Sequence, residues 1–260
     1  MLELPPDRVH VYFVRQDEIK DRELLDAYGD LLSIEEKRQK QRFYFSRDSH
    51  RYLVTRALIR IVLSEYSSIK PRDWRFKPNP HGRPEIINRE PFSIPLSFNI
   101  SHTRDMIMLG IARRSIGVDV ENTRISRSFL EIADRYFSPR EVDDINSLPK
   151  YERYDRFFYY WTLKEAYIKA RGMGLSLPLR QFSFYFPGRE DIKIDFEPGL
   201  NDRSGRWHFW LLKPTTDHIA AVGLDCPEKL THQLQIKKIV PMDSVAPFSC
   251  TILRKTDVSS

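Results

Sequence analysis

The stretch DRFFYYWTLKEAYIKARG, residues 155–172, is typical of a long and largely buried helix, because aromatic and apolar residues recur through it at helical spacing. Asp155 is its predicted N-cap and Gly172 its predicted terminator. Runs rich in β-branched and aromatic residues, typical of strands, lie on both sides of it. These runs are Ile116–Val120, FSFYF (182–186), WHFWLL (207–212) and HIAAVGL (218–224). The second half of the chain is thus predicted to be a helix packed on strands.

The first half of the chain repeats this arrangement. VHVYFV (residues 9–14) predicts a first strand, and a strongly basic helical stretch extends from about Ser33 to Tyr66. PLSFNIS (95–101) and MIMLGIA (106–112) predict two further strands. A helix followed by strands therefore occurs twice.

The similar shapes of DMIMLGIA and DHIAAVGL indicate an internal repeat. The predicted fold is α+β with two pseudo-symmetric subdomains, each a small antiparallel sheet packed with a long helix. The predicted subdomains are residues 1–115 and 116–225. Residues 226–260 are predicted to be an appendage without a chemical signature.

Three residues of the long helix carry potential chemistry. Trp161, Glu165 and Lys169 follow an i, i+4, i+8 spacing, so they lie on one helical face. Glu165 could supply a carboxylate to a metal ion, and Lys169, one turn further on, could meet a phosphate. The alternative is a simple salt bridge on an exposed helix. That alternative is weakened because unpaired charges are unfavourable on a helix that is largely buried.

The sequence GVDVE, residues 117–121, places two carboxylates on a predicted strand. Residues two apart on a strand share a face, so Asp119 and Glu121 project to the same side. Two such carboxylates repel each other unless a cation offsets their charge, and Mg²⁺ prefers a few carboxylates, waters and phosphate oxygens. The motif predicts a magnesium site, with a solvated strand end at a turn as the alternative.

A third polar group lies near the end of the strand predicted at residues 95–101. Ser101 and His102 stand at that end, and Arg83 lies in the preceding loop HGRP. A hydroxyl, an imidazole and a guanidinium near one another suit a phosphate clamp. A histidine with only a structural role in the turn is the alternative.

Composition limits the class of protein. Lys and Arg total 42 against 36 Asp and Glu, a net charge of +6, which suits an anionic ligand or acidic partner but is modest for a dedicated nucleic-acid binder. Neither a secretory signal nor a long apolar run is evident, so the expectation is a cytoplasmic monomer without a membrane or nucleic-acid partner. Cys226 and Cys250 lack C-x-x-C spacing and predict neither a disulfide framework nor a thiolate metal site.

Together these motifs resemble the signature of the 4′-phosphopantetheinyl transferases. The matching segments are G-x-D-x-E (Gly117–Glu121), F-S-x-x-E (Phe137–Glu141), W-x-x-K-E-A-x-x-K (Trp161–Lys169), G-[KR]-P (Gly82–Pro84) and N-I-S-H (Asn99–His102). They occur in the expected order, and the resemblance covers about residues 9–225. The chain is similar to the surfactin-synthetase-activating type of this family.

The resemblance implies a reaction and a site. The phosphopantetheine arm of coenzyme A would pass to a serine of an acyl- or peptidyl-carrier protein, an acidic helical bundle, with release of 3′,5′-ADP. Asp119, Glu121 and Glu165 would hold Mg²⁺, and Glu165 and Lys169 would take part in catalysis. The residues implied to bind coenzyme A are Arg51, Arg56, Arg83, Ser101, His102, Lys164 and Lys169. The basic residues Arg38, Lys40 and Arg42 would suit the acidic carrier.

Glu141 is the implied general base for the serine, with a water molecule beside the ion as the alternative. The residues themselves offer another interpretation. Ser138 and Pro139 predict the N-cap and first position of a short helix, and Glu141 would then be a helix-start acid that interacts with the helix dipole.

Two other functions remain open from the sequence. One is an inactive scaffold that binds carrier proteins, although all three carboxylates and Lys169 are present. The other is a basic nucleic-acid-binding module, although the arginines are dispersed and no recognition motif occurs.

Overall fold

The computed structural model describes residues 1–88, 96–124, 129–227 and 231–257, so the first residue of the strand predicted at 95–101 lies outside the described residues. The α-helices in these ranges are α1 (Arg22–Leu31), α2 (Ile34–Gln41), α3 (Ser46–Glu65), α4 (Phe129–Tyr136), α5 (Pro139–Ser147) and α6 (Lys150–Arg171). The strands are β1 (Arg8–Val14), β2 (Phe76–Pro78), β3 (Pro84–Ile86), β4 (Ser97–His102), β5 (Ile107–Ala112), β6 (Ile116–Asn122), β7 (Phe182–Tyr185), β8 (Lys193–Phe196), β9 (Trp207–Thr215), β10 (His218–Asp225), β11 (Gln233–Val240), β12 (Ser244–Pro247) and β13 (Thr251–Lys255).

Two sheets form the centre of the molecule. The first has the strand order β12-β11-β1-β5-β4 and the second the order β13-β9-β10-β6, while β2-β3 and β7-β8 form two small hairpin sheets. Neighbouring strands are antiparallel except β1 and β11, which are parallel. Strands that follow residue 226 thus extend both central sheets. The division of the chain at residues 115 and 225 stays a prediction.

The side chains of β1 show how the layers stack. Val9, Val11 and Phe13 pack in an apolar cluster shared with the second sheet, whereas Tyr12 and Val14 pack in a cluster shared with α3. A third cluster joins α6 to the other face of the second sheet. The layers therefore run α3, first sheet, second sheet, α6. Each central sheet is covered by one long helix, and the predicted α+β class is confirmed.

Helix α6 begins at Lys150, so the predicted cap at Asp155 was wrong and that residue lies inside the helix. Pro149 occupies the N-cap position, and the fixed φ of proline is compatible with a helix start. The predicted terminator is confirmed: Gly172 has φ +64°, a left-handed conformation that favours glycine. Although α6 has 22 residues, no helix in the described part of the chain is both long and apolar enough for a membrane span.

The basic stretch predicted as one helix consists of two, α2 and α3, separated by residues 42–45. Ser33 starts α2 through a capping box: its hydroxyl accepts from the Glu36 N–H (3.2 Å), and the Glu36 carboxylate accepts from the Ser33 N–H (3.0 Å). Helix α2 contributes no buried residue, whereas α3 packs on the first sheet through positions such as Leu53 and Ala57. The two helices therefore have different environments.

Strands β4 and β6 lie at the edges of different sheets, and side chains join them into a seam. Side-chain oxygens on or just after β4 accept hydrogen bonds from backbone N–H groups of β6. The pairs are Asn99 with Val118 (2.9 Å), Ser101 with Val120 (3.4 Å) and Thr103 with Asn122 (3.3 Å). The alternation of these residues matches the two-residue period of both strands. Three backbone N–H groups of the edge strand β6 thus have acceptors, and the two central sheets meet at a fixed register.

Candidate active site

A cavity of about 820 Å³ opens at this seam, between α3, β4, β6 and α6. Its volume lies in the range of sites for small molecules and cofactors. The predicted site residues that line it are Arg51, Arg56, Ser101, His102, Asp119, Glu121, Glu165 and Lys169. The structure thus brings together residues that are up to 118 positions apart in the chain.

The glycine of the GVDVE motif sets the distance between β6 and α6. A Cβ atom on Gly117 would lie 1.9 Å from the carbonyl oxygen of Ala166, so any larger residue would push the strand away from the helix. Asp119 and Glu121 follow at two-residue intervals and share this face. The glycine therefore allows both carboxylates to reach side chains of α6.

Asp119 is held by two neighbours. Oδ1 lies 2.7 Å from Nζ of Lys169 and accepts a hydrogen bond from the Ser101 hydroxyl at 2.8 Å. Lys169 also donates to the Ser101 hydroxyl oxygen at 2.9 Å. The second oxygen, Oδ2, is buried and makes no hydrogen bond within the described part of the chain. A buried carboxylate oxygen without a donor is unfavourable, and a cation in the cavity would satisfy it.

Glu121 and Glu165 complete the acidic side of the cavity. The indole N–H of Trp161 donates to Oε1 of Glu121 at 3.2 Å. Burial raises the pKa of Glu165, the nearby Asp119 raises it further, and Lys169 opposes the shift. Carboxylates with this repulsion favour the approach of a cation.

The donor set fits a hard divalent ion. Asp119, Glu121 and Glu165 line the same cavity and offer it carboxylate oxygens. Mg²⁺ retains several waters and takes one or two carboxylates together with substrate phosphates. Asp119, Glu121 and Glu165 suit this ion better than one that needs a closed cage of protein ligands.

Cationic groups line the opposite side of the cavity. Arg51 and Arg56 project from α3; Arg51 is 3.0 Å from Asp48, and the guanidinium of Arg56 stands 5.0 Å from the ring centre of Tyr52. His102 is exposed to the cavity, yet the protein around its ring and the Arg51 guanidinium lower its pKa. An anionic ligand would find two permanent positive charges and an imidazole that can gain a proton.

Arg83 lies beside this cavity and holds the seam together. Its Nη1 donates to the carbonyls of Lys169 (3.0 Å) and Ala170 (3.1 Å), and its Nη2 to those of Phe98 (3.3 Å) and Ile116 (3.2 Å). It lines a smaller cleft of about 300 Å³ that shares Lys169 with the main cavity. Arg83 therefore joins α6 to β4 and β6, and its predicted contact with coenzyme A stays a prediction.

Glu141 and Lys164 are not brought to the cavity. Glu141 is fully buried, and its carboxylate accepts from the N–H groups of Ser138 (2.9 Å) and Phe184 (2.9 Å) and lies 2.8 Å from Nζ of Lys164. Lys164 also donates to two backbone carbonyls, and burial lowers its pKa while Glu141 opposes the shift. The predicted cap at Ser138 is confirmed. This geometry favours the helix-start interpretation of Glu141 over that of a general base.

Several residues of the cavity were missed from the sequence. Tyr52 and Thr55 line it beside the two arginines of α3, and Tyr136 lines it from the end of α4. The signal for the first two was helical spacing: Thr55 lies four residues after Arg51, and Arg56 four after Tyr52, so all four share one face. For Tyr136 the local pattern offered no comparable signal.

Comparison with known families covers most of the chain. The family description "4′-phosphopantetheinyl transferase superfamily" matches residues 115–223, which contain β6, α6 and the acidic side of the cavity. The description "4′-phosphopantetheinyl transferase, N-terminal" matches residues 20–113, which contain α3 and β4. The N-terminal match ends at residue 113, just after β5, and the other begins at residue 115, just before β6.

Individual proteins are similar over most of their length. 4′-Phosphopantetheinyl transferase Sfp of Bacillus subtilis is 36% identical over 174 residues, 66% of this chain and 75% of that protein. The Bacillus subtilis transferase ffp is 36% identical over 187 residues, 72% and 80% of the two chains. HetI of Nostoc sp. is 30% identical over 224 residues, 86% and 90% of the two chains. The chain belongs to the 4′-phosphopantetheinyl transferase family.

Proposed function

We propose that this chain transfers the 4′-phosphopantetheine arm of coenzyme A to a serine hydroxyl of an acyl- or peptidyl-carrier protein, and that the seam cavity is its active site. The serine oxygen forms a bond to the β-phosphorus as its proton passes to water, the bond from that phosphorus to the bridging oxygen breaks, and 3′,5′-ADP leaves with that oxygen. The observation that carries the assignment of the site is that Asp119, whose buried Oδ2 has no hydrogen-bond donor among the described residues, lines the same cavity as the cationic side chains of α3.

The cationic wall would bind the phosphates of the donor. Arg51, Arg56 and His102 offer charge-assisted hydrogen bonds, which are about twice as strong as neutral ones. Their positions on α3 and at the end of β4 are set by the packing of the first sheet. The N-terminal half therefore supplies most of the recognition of the anionic ligand.

The acidic side would hold magnesium. Asp119, Glu121 and Glu165 are the residues that would bind Mg²⁺, which when bound would offset charge on the pyrophosphate oxygens of coenzyme A. The ammonium group of Lys169 lies beside Asp119 in the same cavity. Because it is already oriented by Asp119 and Ser101, it can stabilise the leaving phosphate with little reorganisation.

The entrance to the cavity offers a surface for an acidic carrier. Arg38 and Arg42 are exposed on and just after α2. The following aromatic residues include Phe43, which lines the cavity, and Tyr44 and Phe45, which are 92% and 60% exposed. Positive charge would speed the encounter with an acidic bundle, and the exposed rings would provide apolar contact.

Intact-mass measurement tests the proposed function. Several apo carrier proteins are incubated with the full chain, coenzyme A and Mg²⁺, with a matched reaction in excess chelator. We expect the phosphopantetheine mass increment on at least one carrier, its absence in chelator, and its absence when the carrier serine is replaced by alanine. A carrier that binds the chain but never gains mass would favour the inactive scaffold.

A further inference from the structure

Three buried side chains outside the active site meet at one end of the second sheet. His208, Cys226 and His232 are 6%, 0% and 6% exposed, and none of them lines the active-site cavity. One ligand atom from each lies within 4.8 Å of the others. Cys226 Sγ is 3.7 Å from Nδ1 of His232. The sequence predicted no thiolate metal site, yet the fold gathers a thiol and two imidazoles.

Different strands hold the three residues in place. His208 lies on β9, opposite Leu224 of β10, and Cys226 follows β10 directly. The backbone N–H of Cys226 donates to the carbonyl of Arg206 at 2.7 Å. The strand pairing of His208 and the hydrogen bond of Cys226 fix these two residues relative to the second sheet.

The third residue, His232, lies next to the first sheet. His232 directly precedes β11, and the neighbouring Gln233 donates its N–H to the carbonyl of Asp7 at 2.9 Å, at the start of the β1–β11 pair. The cluster therefore stands where the chain passes from one central sheet to the other. A ligand bound by all three residues would tie the two sheets together.

The spacing of these atoms suits a tetrahedral ion. Bond lengths of about 2.3 Å to sulfur and 2.0–2.1 Å to nitrogen place the sulfur and nitrogen ligands of zinc roughly 3.6 Å apart. Cys226 Sγ lies 3.7 Å from Nδ1 and 3.9 Å from Nε2 of His232, both close to this value, and the ring would turn on binding so that one nitrogen points to the ion. This spacing also suits a thiol hydrogen bond to an imidazole, but a hydrogen bond involves two residues, and here a ligand atom of a third residue, His208, lies within 4.8 Å of the other two.

We propose that His208, Cys226 and His232 bind one zinc ion, with a water molecule in the fourth position. Thiolate and imidazole are the ligands that zinc prefers. The cysteine would lose its proton on binding. Because the ion would link β9 and β10 to β11, its role would be to stabilise the packing of the two central sheets rather than to take part in the transfer reaction.

Zinc content tests the proposal directly. The full chain is loaded with a small excess of zinc, desalted into magnesium buffer and measured by elemental analysis. We expect one zinc per chain, reduced to background in Cys226→Ala and His232→Gln. Cys250→Ala and His81→Gln, which alter the other cysteine and an exposed histidine, should keep the ion. Asp119→Asn should keep it too, which separates this site from the carboxylates of the active site.

A second measurement avoids variants that fail to fold. Cobalt added to the wild-type chain should give a thiolate-to-cobalt charge-transfer band and tetrahedral visible bands, and zinc should remove both. Zinc should also raise the melting temperature of the wild-type chain but not that of Cys226→Ala. Absence of the thiolate band, equal zinc content in wild type and Cys226→Ala, or binding of copper without zinc would each overturn the assignment.

Discussion

Nζ of Lys169 on α6 lies 2.7 Å from Oδ1 of Asp119 on β6, and both residues line the seam cavity, the proposed active site. The Asp119 side chain is 6% exposed and that of Lys169 is 26% exposed. One carboxylate oxygen is thus fixed by the lysine, while the other is buried without a hydrogen-bond donor in the described residues. The pair orients the lysine and leaves one oxygen of the aspartate for a cation.

Lys169→Met should lower the transfer rate and strengthen magnesium binding. The rate should fall by about 10²–10³-fold, the typical effect of removing one preorganised electrostatic contact. Because the ammonium charge no longer repels a cation beside Asp119, half-maximal activity should need less Mg²⁺. Initial rates across a magnesium titration measure both effects, with Lys193→Met at an exposed position of β8 as the control. A variant that needs more Mg²⁺ would contradict this account of the pair.

The affinity for coenzyme A should increase as the pH falls, through His102. Burial and Arg51 keep the pKa of this imidazole low in the free protein, and a bound phosphate would raise it. The gain in affinity is therefore complete below the pKa of the free protein and is lost as pH rises through the pKa of the complex.

Calorimetry in two buffers of different ionisation enthalpy should detect the proton that His102 takes up. His102→Gln should remove that uptake and leave the proton release of the ligand phosphate, whose second pKa near 6 is lowered by the cationic side chains. Equal proton uptake in the two proteins would show that His102 does not contact a phosphate.

Arg83→Ala should chiefly destabilise the fold. Four backbone carbonyls at the seam would each lose the hydrogen bond from Arg83, and we expect a loss of about 2–3 kcal/mol in the free energy of unfolding. Arg83→Lys should restore only part of it, because lysine lacks the planar fork. Urea unfolding measures this loss. If stability is unchanged and the preference for coenzyme A over 3′-dephospho-coenzyme A disappears, Arg83 is a phosphate ligand instead.

Glu141→Gln should reduce stability more than catalysis. The buried Lys164 would lose its counter-charge, and breaking a buried pair typically destabilises by about 3–5 kcal/mol. Lys164→Met in the same chain should recover part of this loss, as a thermal or urea double-mutant cycle would show. Well below the melting temperature, the acidic limb of the pH–rate profile should persist. Loss of that limb with an unchanged free energy of unfolding would restore Glu141 as the general base.

Local patterns were sufficient for most elements that position the site. The two-residue period of GVDVE predicted that Asp119 and Glu121 share a face, and helical spacing predicted the same for Glu165 and Lys169, because local backbone geometry fixes these directions. That the two pairs belong to one site was implied by the family resemblance. The alternative helix-start interpretation of Glu141 likewise followed from its distance to Ser138. These are features of short range in the sequence.

Long-range pairings could not be predicted in this way. Strand β11 pairs with β1 more than 200 residues away, as in the pair of Arg8 with Gln233, and no local pattern names such a partner. The same limit applies to Cys226 and His208, whose separation matches no short metal-binding motif. Arg83 was interpreted from its charge, whereas its partners are backbone carbonyls that the sequence does not show.

The release of 3′,5′-ADP tests most directly that Asp119 is at the centre of a magnesium-dependent transferase site. Wild type, Asp119→Asn and the control Asp195→Asn, an exposed member of a surface pair, are compared with coenzyme A and an apo carrier over a range of Mg²⁺ concentrations. We expect magnesium-dependent release by wild type and Asp195→Asn, and a loss of at least about 100-fold in Asp119→Asn, with circular dichroism unchanged. Release by Asp119→Asn at the wild-type rate, or full release in excess chelator, would contradict the account.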